Sequence, residues 1–509
     1  MACPPNRFFY LAWFAMVPVM FGLDRAQNWK QAAFVSWVAG CVATAGGFYW
    51  MVSLMRRFAG MHVVLAVAVF AIFCGYQGLT FLLFGVTTRA IREKTGWPME
   101  MVAPLVFVTC EWMVPLLFPF YVAITQAWHP VVIQIAEFTG PLGVSALLLL
   151  SSGVIYDTLH LRPRALKPAI IGVGVIATVL LFGVIRVRQV DAEIAGAPKI
   201  KVGAVQGNVA YNEKGEKNPA LAQRQLQALR EHSRRLEESG AQLIVWSETA
   251  FPYWFPRELK QDLPEADNRR LKDGFSTPLL TGMVTYSTAP LRVYNSAFLF
   301  DKRDNITSQY DKVELLPFGE ALPTWLDFGF VRKLVPQGFG HFARGSGPKT
   351  VSLEVSDQRY AIGTLICYED ILPQYLRKVG ELHPYLLVNM TNDSWYGAET
   401  EPWEHLALAV FGSIEQRTSM ARVVNSGVTA FIDPVGRVKR KIDPVEPSST
   451  RELQETSSES VVAPVALLQA GNTVFARVGD AFAHVCVALT AMMLWRNNPA
   501  TAKRGKARR

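Results

Sequence analysis

The chain has 509 residues, half of them hydrophobic and only 18% charged, with a net charge of +9. Charge that sparse, with the apolar runs gathered toward one end, excludes a soluble enzyme throughout, and six cysteines in this length exclude a disulfide scaffold. Nor does the positive charge point to nucleic acid: Arg496, Lys503, Arg504, Lys506, Arg508 and Arg509 form a tail directly behind an apolar segment, where basic residues mark the cytoplasmic side of a membrane.

Six apolar runs succeed one another from the start: Phe8–Leu23, Ala32–Met55, Met61–Gly85, Met101–Ala123, Val131–Tyr156 and Ala169–Ile185. Most reach the roughly 17–25 residues that a helix needs to cross the hydrocarbon core. The first is the shortest, but no small-residue cleavage site follows it, so it reads as a membrane helix rather than a signal peptide. Arg25 and Lys30 follow the first run, Arg89, Arg92 and Lys94 the third, and Arg162, Arg164 and Lys167 the fifth. The loop between runs two and three carries Arg56 and Arg57, and that between four and five has no Lys or Arg. The positive-inside rule then puts the odd-numbered exits and the basic tail in the cytoplasm. The segment after run six lies outside, as does the N-terminus, which only Arg7 marks.

From about Ala195 the texture changes. The helix-forming stretch Ala220–Gly240 is joined by short β-rich runs at Lys201–Val205, Leu243–Trp246, Leu280–Val284, Ala297–Phe300, Tyr360–Cys367, Tyr385–Asn389 and Ala430–Ile432. Short strands interleaved with helices indicate an α/β domain. Pro444–Ser460 reads as a surface loop, and Phe475–Trp495 returns the chain to the membrane. The expected organisation is a bundle of about six transmembrane helices over 1–194, an α/β domain over 195–466, and a C-terminal transmembrane helix with a basic cytoplasmic tail over 467–509.

Cys367 is the one cysteine of the α/β region; Cys41, Cys74, Cys110 and Cys486 fall in apolar runs and Cys3 at the extreme N-terminus. It ends the apolar run Ile362–Ile366, and a strand end is a place where a sheet fixes a reactive residue and loops shape its surroundings. A buried, inert core thiol is the alternative. Glu248, after Leu243–Trp246, and Lys312, in a Tyr-Asp-Lys-Val-Glu stretch, also stand at the edges of β-like runs. The three could meet at one end of a sheet. A carboxylate can take the thiol's proton as it attacks, and a fixed cation can hold the oxyanion that forms. Spacing alone makes this constellation only suggestive.

Six stretches carry a family resemblance: Val205–Asn208, Ile244–Ala250, Tyr310–Glu320, Leu365–Glu369, Asn392–Gly397 and Asn425–Ala430. In this order they resemble the nitrilase, or carbon–nitrogen hydrolase, superfamily, and within it the integral membrane branch, apolipoprotein N-acyltransferase. Gly47–Ser53, Phe58–Met61, Thr109–Glu111 and Thr473–Gly479 extend the resemblance into the apolar regions. It implies a nitrilase-like α-β-β-α sandwich between the transmembrane bundle and the last helix. It also implies Glu248 as general base, Lys312 as oxyanion-stabilising cation and Cys367 as nucleophile, supported by Glu320, Tyr368 and Glu369, with Trp395 on a substrate-binding loop. Trp395 could equally be a packed core indole, and Asn392 and Asp393 could be turn formers.

The implied reaction moves an acyl chain from a membrane phospholipid to the α-amino group of a lipoprotein's N-terminal S-diacylglyceryl-cysteine, through a Cys367 thioester. It would take place at the bacterial inner membrane, with the catalytic domain facing the periplasm. The alternatives are a membrane-bound amidase or lipid hydrolase of the same superfamily, and a non-catalytic scaffold. No cofactor is expected, and no metal: the eight histidines form no His-x-x-x-His pair or Cys/His cluster.

The sequence also departs from the family pattern. The opening Leu11–Pro18 is similar to the family's second helix, so the first is expected either to be lost or to lie upstream of this start; its loss agrees with an external N-terminus. Val114 and Pro115 stand near where the family has an arginine. Pro402–His405 is followed by Ala409–Ser413, where an arginine-rich helix is usual, and Val209–Gly215 lacks a tryptophan. These changes bear on the acceptor, not on Glu248, Lys312 and Cys367.

Overall fold

The computed structural model describes residues 3–5, 8–58, 60–116, 120–160, 166–210, 218–316, 320, 342–445 and 458–495. The basic tail, Arg7, Arg162, Arg164 and most of the Val209–Gly215 and Pro444–Ser460 loops lie outside the described residues. The chain forms two compact units, Met1–Asp191 with Thr473–Arg509, and Ala192–Asn472. The helix Leu166–Gly196 runs unbroken past the expected boundary at 194.

The first unit is helical, but its apolar runs are less continuous than their composition suggests. Among the described residues, Val63–Thr95, Pro141–His160 and Lys167–Gly196 are long and apolar enough to cross a membrane, and Trp29–Gly47 with Trp50–Arg57, bent by 59° at the break between them, is a broken span or a re-entrant loop. The first run divides into a 3-10 turn, Phe9–Trp13, and a nine-residue helix, Val17–Arg25, with a proline in its first turn. The fourth gives the 15-residue helix Met99–Met113, about 22 Å at 1.5 Å per residue. The last breaks at Gly479 before Ala481–Trp495. Hydropathy measures composition, whereas proline and the glycine-rich breaks decide where hydrogen bonding is interrupted.

Close approach of small residues holds this bundle. A Cβ on Gly85 would stand 2.0 Å from Ser36 Oγ, so the helices bearing them cross nearly backbone to backbone. By contrast, Ile170, Ile171, Val173, Leu181 and Ile185 on the helix Leu166–Gly196 are exposed. A helix that leaves such a continuous apolar surface uncovered is suited to lipid as its solvent.

The second unit is built on two sheets. β1 (Lys199–Gln206), β2 (Leu243–Trp246), β3 (Phe255–Pro256), β4 (Leu279–Thr288), β5 (Leu291–Phe300) and β6 (Ile306–Asp311) belong to the first. β7 (Thr350–Val355), β8 (Gln358–Ile366), β9 (Leu386–Thr391), β10 (Met420–Val424), β11 (Thr429–Ile432) and β12 (Val438–Ile442) form the second, and β13 (Glu459–Ala466) returns to the first. The orders are β13-β1-β2-β4-β5-β6, with β3 beside β4, and β12-β11-β10-β9-β8-β7. Val202, Ala204, Val245 and Leu280 of one sheet pack with Ile362, Ile366, Val388 and Met390 of the other in a shared core. The helix Pro219–Glu238, capped by Asn218, buries Leu226, Leu229 and Leu236 on the outer face of the first sheet. The helices Pro373–Gly380 and Glu401–Gln416 belong to the second half. This is the α-β-β-α sandwich that the sequence leads one to expect.

β8, β9 and β10 are parallel, and so are β1, β2 and β4. β9 is buried at all six positions and β2 at all four, which explains their nearly unbroken apolar sequences. Ile366 pairs with Met390 and Thr391 with Val424. Cys367, Asn392 and Asn425 therefore leave the second sheet along one edge.

Candidate active site

Three strand ends bring the sequence-expected residues together. Glu248 lies two residues beyond β2, Lys312 immediately follows β6, and Cys367 immediately follows β8. Lys312 is buried, with Nζ 2.7 Å from Glu320 Oε2 and 3.4 Å from Glu248 Oε1. Asn295 Nδ2, on β5, donates to Glu248 Oε1 at 2.7 Å and to Glu320 Oε1 at 3.0 Å. The two carboxylates are thus held apart at fixed spacing by one ammonium and one amide. Lys312 is itself anchored by its backbone N–H, which donates to the Asn295 carbonyl at 2.9 Å.

Cys367 adopts a left-handed backbone conformation with φ 55°. That conformation is costly for a residue with a Cβ and persists where the surroundings over-determine it. Here they do. Asn389 Nδ2 donates to the Cys367 carbonyl at 2.8 Å, and the Glu369 carboxylate gathers donors on both sides of the turn. Glu369 Oε1 accepts from the backbone N–H groups of Val313 and Glu314 at 2.8 and 3.0 Å; Oε2 accepts from Ile366 N at 2.8 Å and the Tyr310 hydroxyl at 2.7 Å. One buried side chain therefore ties the strand end that carries Lys312 to the turn that carries Cys367. Burial raises its pKa to about 7, against the pull of the Tyr310 and backbone donors.

The electrostatics of the three groups are coupled. Burial pushes the Cys367 thiol well above its usual range, the Glu248 charge adds to this, and the Lys312 ammonium opposes it. Burial works against a charged Lys312, but Cys367, Glu320 and Glu248 overcome it and hold the ammonium well above the ordinary lysine value. The resting arrangement is a neutral thiol beside a fixed cation and a carboxylate. A proton leaving the sulfur can pass to Glu248, and negative charge developing nearby is met by Lys312.

Tyr368 is half-buried on the nucleophile turn, its hydroxyl raised to about 12 by burial. Trp395 is half-buried on the loop that follows β9, rather than a fully packed core indole. Asn392 and Asp393 are buried and also form the turn that follows: Asn392 Oδ1 accepts from Ser394 N at 3.4 Å and from Asn425 Nδ2 at 2.8 Å, and the Asp393 carbonyl accepts from Tyr396 N at 3.0 Å. Burial and the charges of Glu401, Cys367, Asp393 and Glu248 raise the Tyr396 hydroxyl, which places it near the same centre.

Two contributors were not singled out by sequence. Asn295 lies mid-strand on β5 between Tyr294 and Ser296, where one more polar residue gives no signal of its own. The other is a group, Asp393, Glu401 and His405, whose ligand-type atoms all lie within 4.8 Å of one another. Glu401 and His405 stand one helical turn apart, a spacing legible in sequence. Arg422 Nη2 lies 3.0 Å from Asp393 Oδ2 and supplies positive charge to this group.

The chain is similar to known proteins along nearly its whole length. The carbon-nitrogen hydrolase family profile matches residues 201–458, and the apolipoprotein N-acyltransferase N-terminal domain profile matches residues 1–154. The apolipoprotein N-acyltransferase of Geobacter metallireducens is 29% identical over 95% of this chain and 90% of its own. That of Nitrosomonas europaea is 30% identical over 82% of this chain and 81% of its own. Among solved structures, Saccharomyces cerevisiae Nit3, a member of branch 10 of the nitrilase superfamily, aligns with 53% of this chain at 15% identity and a TM-score of 0.36.

Gly282 of β4 gives a test of how tightly the Glu248 turn is held. A Cβ there would meet Ser247 O at 2.5 Å, Glu248 Cα at 2.7 Å and Thr249 N at 2.8 Å, all backbone. Gly282→Ala is expected to destabilise the protein by about 1–3 kcal/mol through overpacking and to lower activity by displacing Glu248. Thermal unfolding and turnover of the purified variant check this; unchanged turnover would show that the Glu248 turn tolerates displacement.

Proposed function

The chain belongs to the apolipoprotein N-acyltransferase family of membrane-bound carbon–nitrogen hydrolases, and from that membership we propose that Glu248, Lys312 and Cys367 catalyse its acyl transfer. The enzyme is a membrane acyltransferase that N-acylates lipoproteins with acyl chains from phospholipid. The observation that supports the assignment of residues is the single buried Lys312 ammonium between Glu248 and Glu320, coupled to the Cys367 thiol.

The steps follow from that arrangement. Cys367 Sγ attacks the ester carbonyl carbon of the phospholipid while its proton passes to Glu248, and the oxyanion forms beside Lys312. Collapse breaks the acyl–oxygen bond, Glu248 returns the proton to the leaving alkoxide, and a lysophospholipid departs from acyl-Cys367. The α-amino group of the diacylglyceryl-cysteine then attacks the thioester and gives a proton to Glu248. The carbon–sulfur bond breaks, the sulfur is reprotonated, and the amide product leaves. Glu320 and Asn295 fix the positions of Lys312 and Glu248, Glu369 fixes the nucleophile turn, and Trp395 serves substrate binding. Transfer rather than hydrolysis needs the thioester kept from water. The amidase or lipid-hydrolase alternative is disfavoured by the relatives, which are acyltransferases along nearly the whole chain.

Cys367→Ala is expected to abolish both the acyl adduct formed from labelled phospholipid and turnover, and Cys367→Ser to fail nearly as badly, because a hydroxyl is far harder to ionise. A labelled adduct persisting in Cys367→Ala would overturn the assignment.

Glu248→Gln is expected to slow formation of acyl-Cys367 by about 10²–10⁴-fold, the range for a positioned acid/base group, and Lys312→Met by a similar factor. Single-turnover acylation measured on folded protein checks both. A near-normal rate in either variant would remove that residue from the mechanism.

The loop charges support a second unit on the periplasmic side of the bacterial inner membrane. Single cysteines at exposed positions test this: in a background without native thiols, Glu265→Cys should react with an impermeant maleimide in intact spheroplasts and Glu93→Cys should not. Glu265 and Glu93 side chains are 92% and 60% exposed, so burial does not mask either site. The reverse labelling pattern would invert the topology.

A further inference from the structure

Behind the nucleophile turn, four buried charged side chains close a ring. His405 Nε2 lies 3.0 Å from Asp370 Oδ1, and His405 Nδ1 lies 3.2 Å from Asp393 Oδ1. Arg422 Nη2 donates to Asp393 Oδ2 at 3.0 Å, and Arg422 Nε donates to Asp370 Oδ2 at 3.3 Å. The third nitrogen of Arg422, Nη1, donates to the Val428 carbonyl at 2.9 Å. Glu401 adds a carboxyl oxygen 3.7 Å from His405 Nδ1.

The chemistry of this ring fixes its protonation. Carboxylate oxygens only accept hydrogen bonds, and both imidazole nitrogens face one, so only the imidazolium, with two N–H donors, satisfies both contacts. Two carboxylates and one guanidinium leave one negative charge, which the imidazolium cancels; uncompensated charge at this depth would be strongly destabilising. Burial and Arg422 work against the imidazolium, but Asp370 and Asp393 outweigh them and lift His405 to about 10. Burial, with the Asp393 charge, raises Glu401 well above the carboxylate range, so it stays neutral beside them. The Asp393–Glu401–His405 group has the spacing of a metal site, yet both imidazole nitrogens and Asp393 are already engaged by the ring. A proton and a guanidinium supply the positive charge that a cation would bring.

The ring joins the parts of the site that must stay in register. Asp370 lies three residues beyond Cys367 on the short helix Cys367–Ile371, Asp393 lies two before Trp395, His405 is on Glu401–Gln416, and Arg422 is on β10. We propose that His405, as an imidazolium, is a positioning residue for acyl transfer, locking the strained Cys367 turn to the Asn392–Gly397 loop. This rests on Cys367 as nucleophile, although the ring's own charge balance does not.

The test is a charge-balance cycle on the full-length protein in lipid nanodiscs, comparing wild type, His405→Gln, Asp393→Asn and the double variant. His405→Gln leaves the ring with an uncompensated carboxylate. It should lower kcat for acyl-Cys367 formation by about 10–100-fold, as small misplacements of reacting groups do, with KM for phospholipid little changed. The double variant is neutral again and should recover at least about tenfold of that loss. Cys367 alkylation by iodoacetamide should be altered in the single variant and partly restored in the double.

Stability should follow the same charge. A folded-state pKa near 10 against about 6.5 unfolded means that the His405 contribution is fully present below pH about 6.5 and is lost as pH rises through about 10. Wild-type melting temperature should therefore fall across that window, and His405→Gln should flatten the fall. Wild-type kcat in His405→Gln, or losses that simply add in the double variant, would overturn the proposal. If His405→Gln does not fold, the double variant must; its failure to fold would overturn the proposal equally. An adduct persisting in Cys367→Ala would defeat the nucleophile assignment but leave the pH dependence of stability intact, so the two failures are distinguishable.

Discussion

A single buried ammonium sets the terms for its surroundings. Lys312 is only 1% exposed and lies within ion-pair distance of both Glu248 and Glu320. Without it two carboxylates would face each other beside a thiol at a depth where unpaired charge is prohibitive. With it the cluster still carries one net negative charge, which adds to burial in raising the Cys367 thiol. The proposed nucleophile is therefore not a preformed thiolate. Its proton has to leave as the bond to carbon forms, and the proposed acceptor is Glu248, whose charge acts on the thiol more strongly than that of Glu320. The same cation that neutralises the resting carboxylates faces the oxyanion of the proposed transition state, so no further charge need be recruited during the reaction.

Holding that cluster requires two sheets to stay aligned at one edge. Glu369 does this over the shortest range, taking hydrogen bonds from the Lys312 strand end, the Cys367 turn and Tyr310 with one carboxylate. The ring of Asp370, His405, Asp393 and Arg422 acts within the second sheet's half alone, joining the Cys367 turn to β10 and to the loop and helix that follow β9. Both devices bury charge beside the left-handed Cys367, where the backbone would otherwise relax. Rigidity here is electrostatic as much as hydrophobic, and it is concentrated where the chemistry needs it.

Much of this was legible in the sequence, for identifiable reasons. β2, β8 and β9 are central strands, buried on both faces, so they read as apolar runs, and the residues just beyond them stood out. β7 alternates polar and apolar side chains and β6 and β12 are largely polar, so none of them stands among the β-rich runs, although Lys312 reads as a β edge and directly follows β6. Asn295 was hidden because a single amide inside a strand looks like any other polar position; only the fold shows that it spans two carboxylates. The ring draws on positions 370, 393, 405 and 422, whose proximity is a product of topology, and only the Glu401–His405 spacing survived in one dimension. In the membrane unit, composition located the apolar runs but not their breaks, since Gly47 and Gly479 contribute almost nothing to hydropathy while standing where helices end.

The central claim is that acyl-Cys367 is an intermediate discharged by an amine rather than by water. Time-resolved intact-mass measurement, with phospholipid added first and an S-diacylglyceryl-cysteine peptide added second, tests it most directly. The account predicts an acyl adduct, mapped to Cys367, that persists in phospholipid alone and disappears on adding the peptide as N-acylated peptide forms. An adduct cleared by water at the same rate with or without the peptide, or one mapped to another residue, would contradict it.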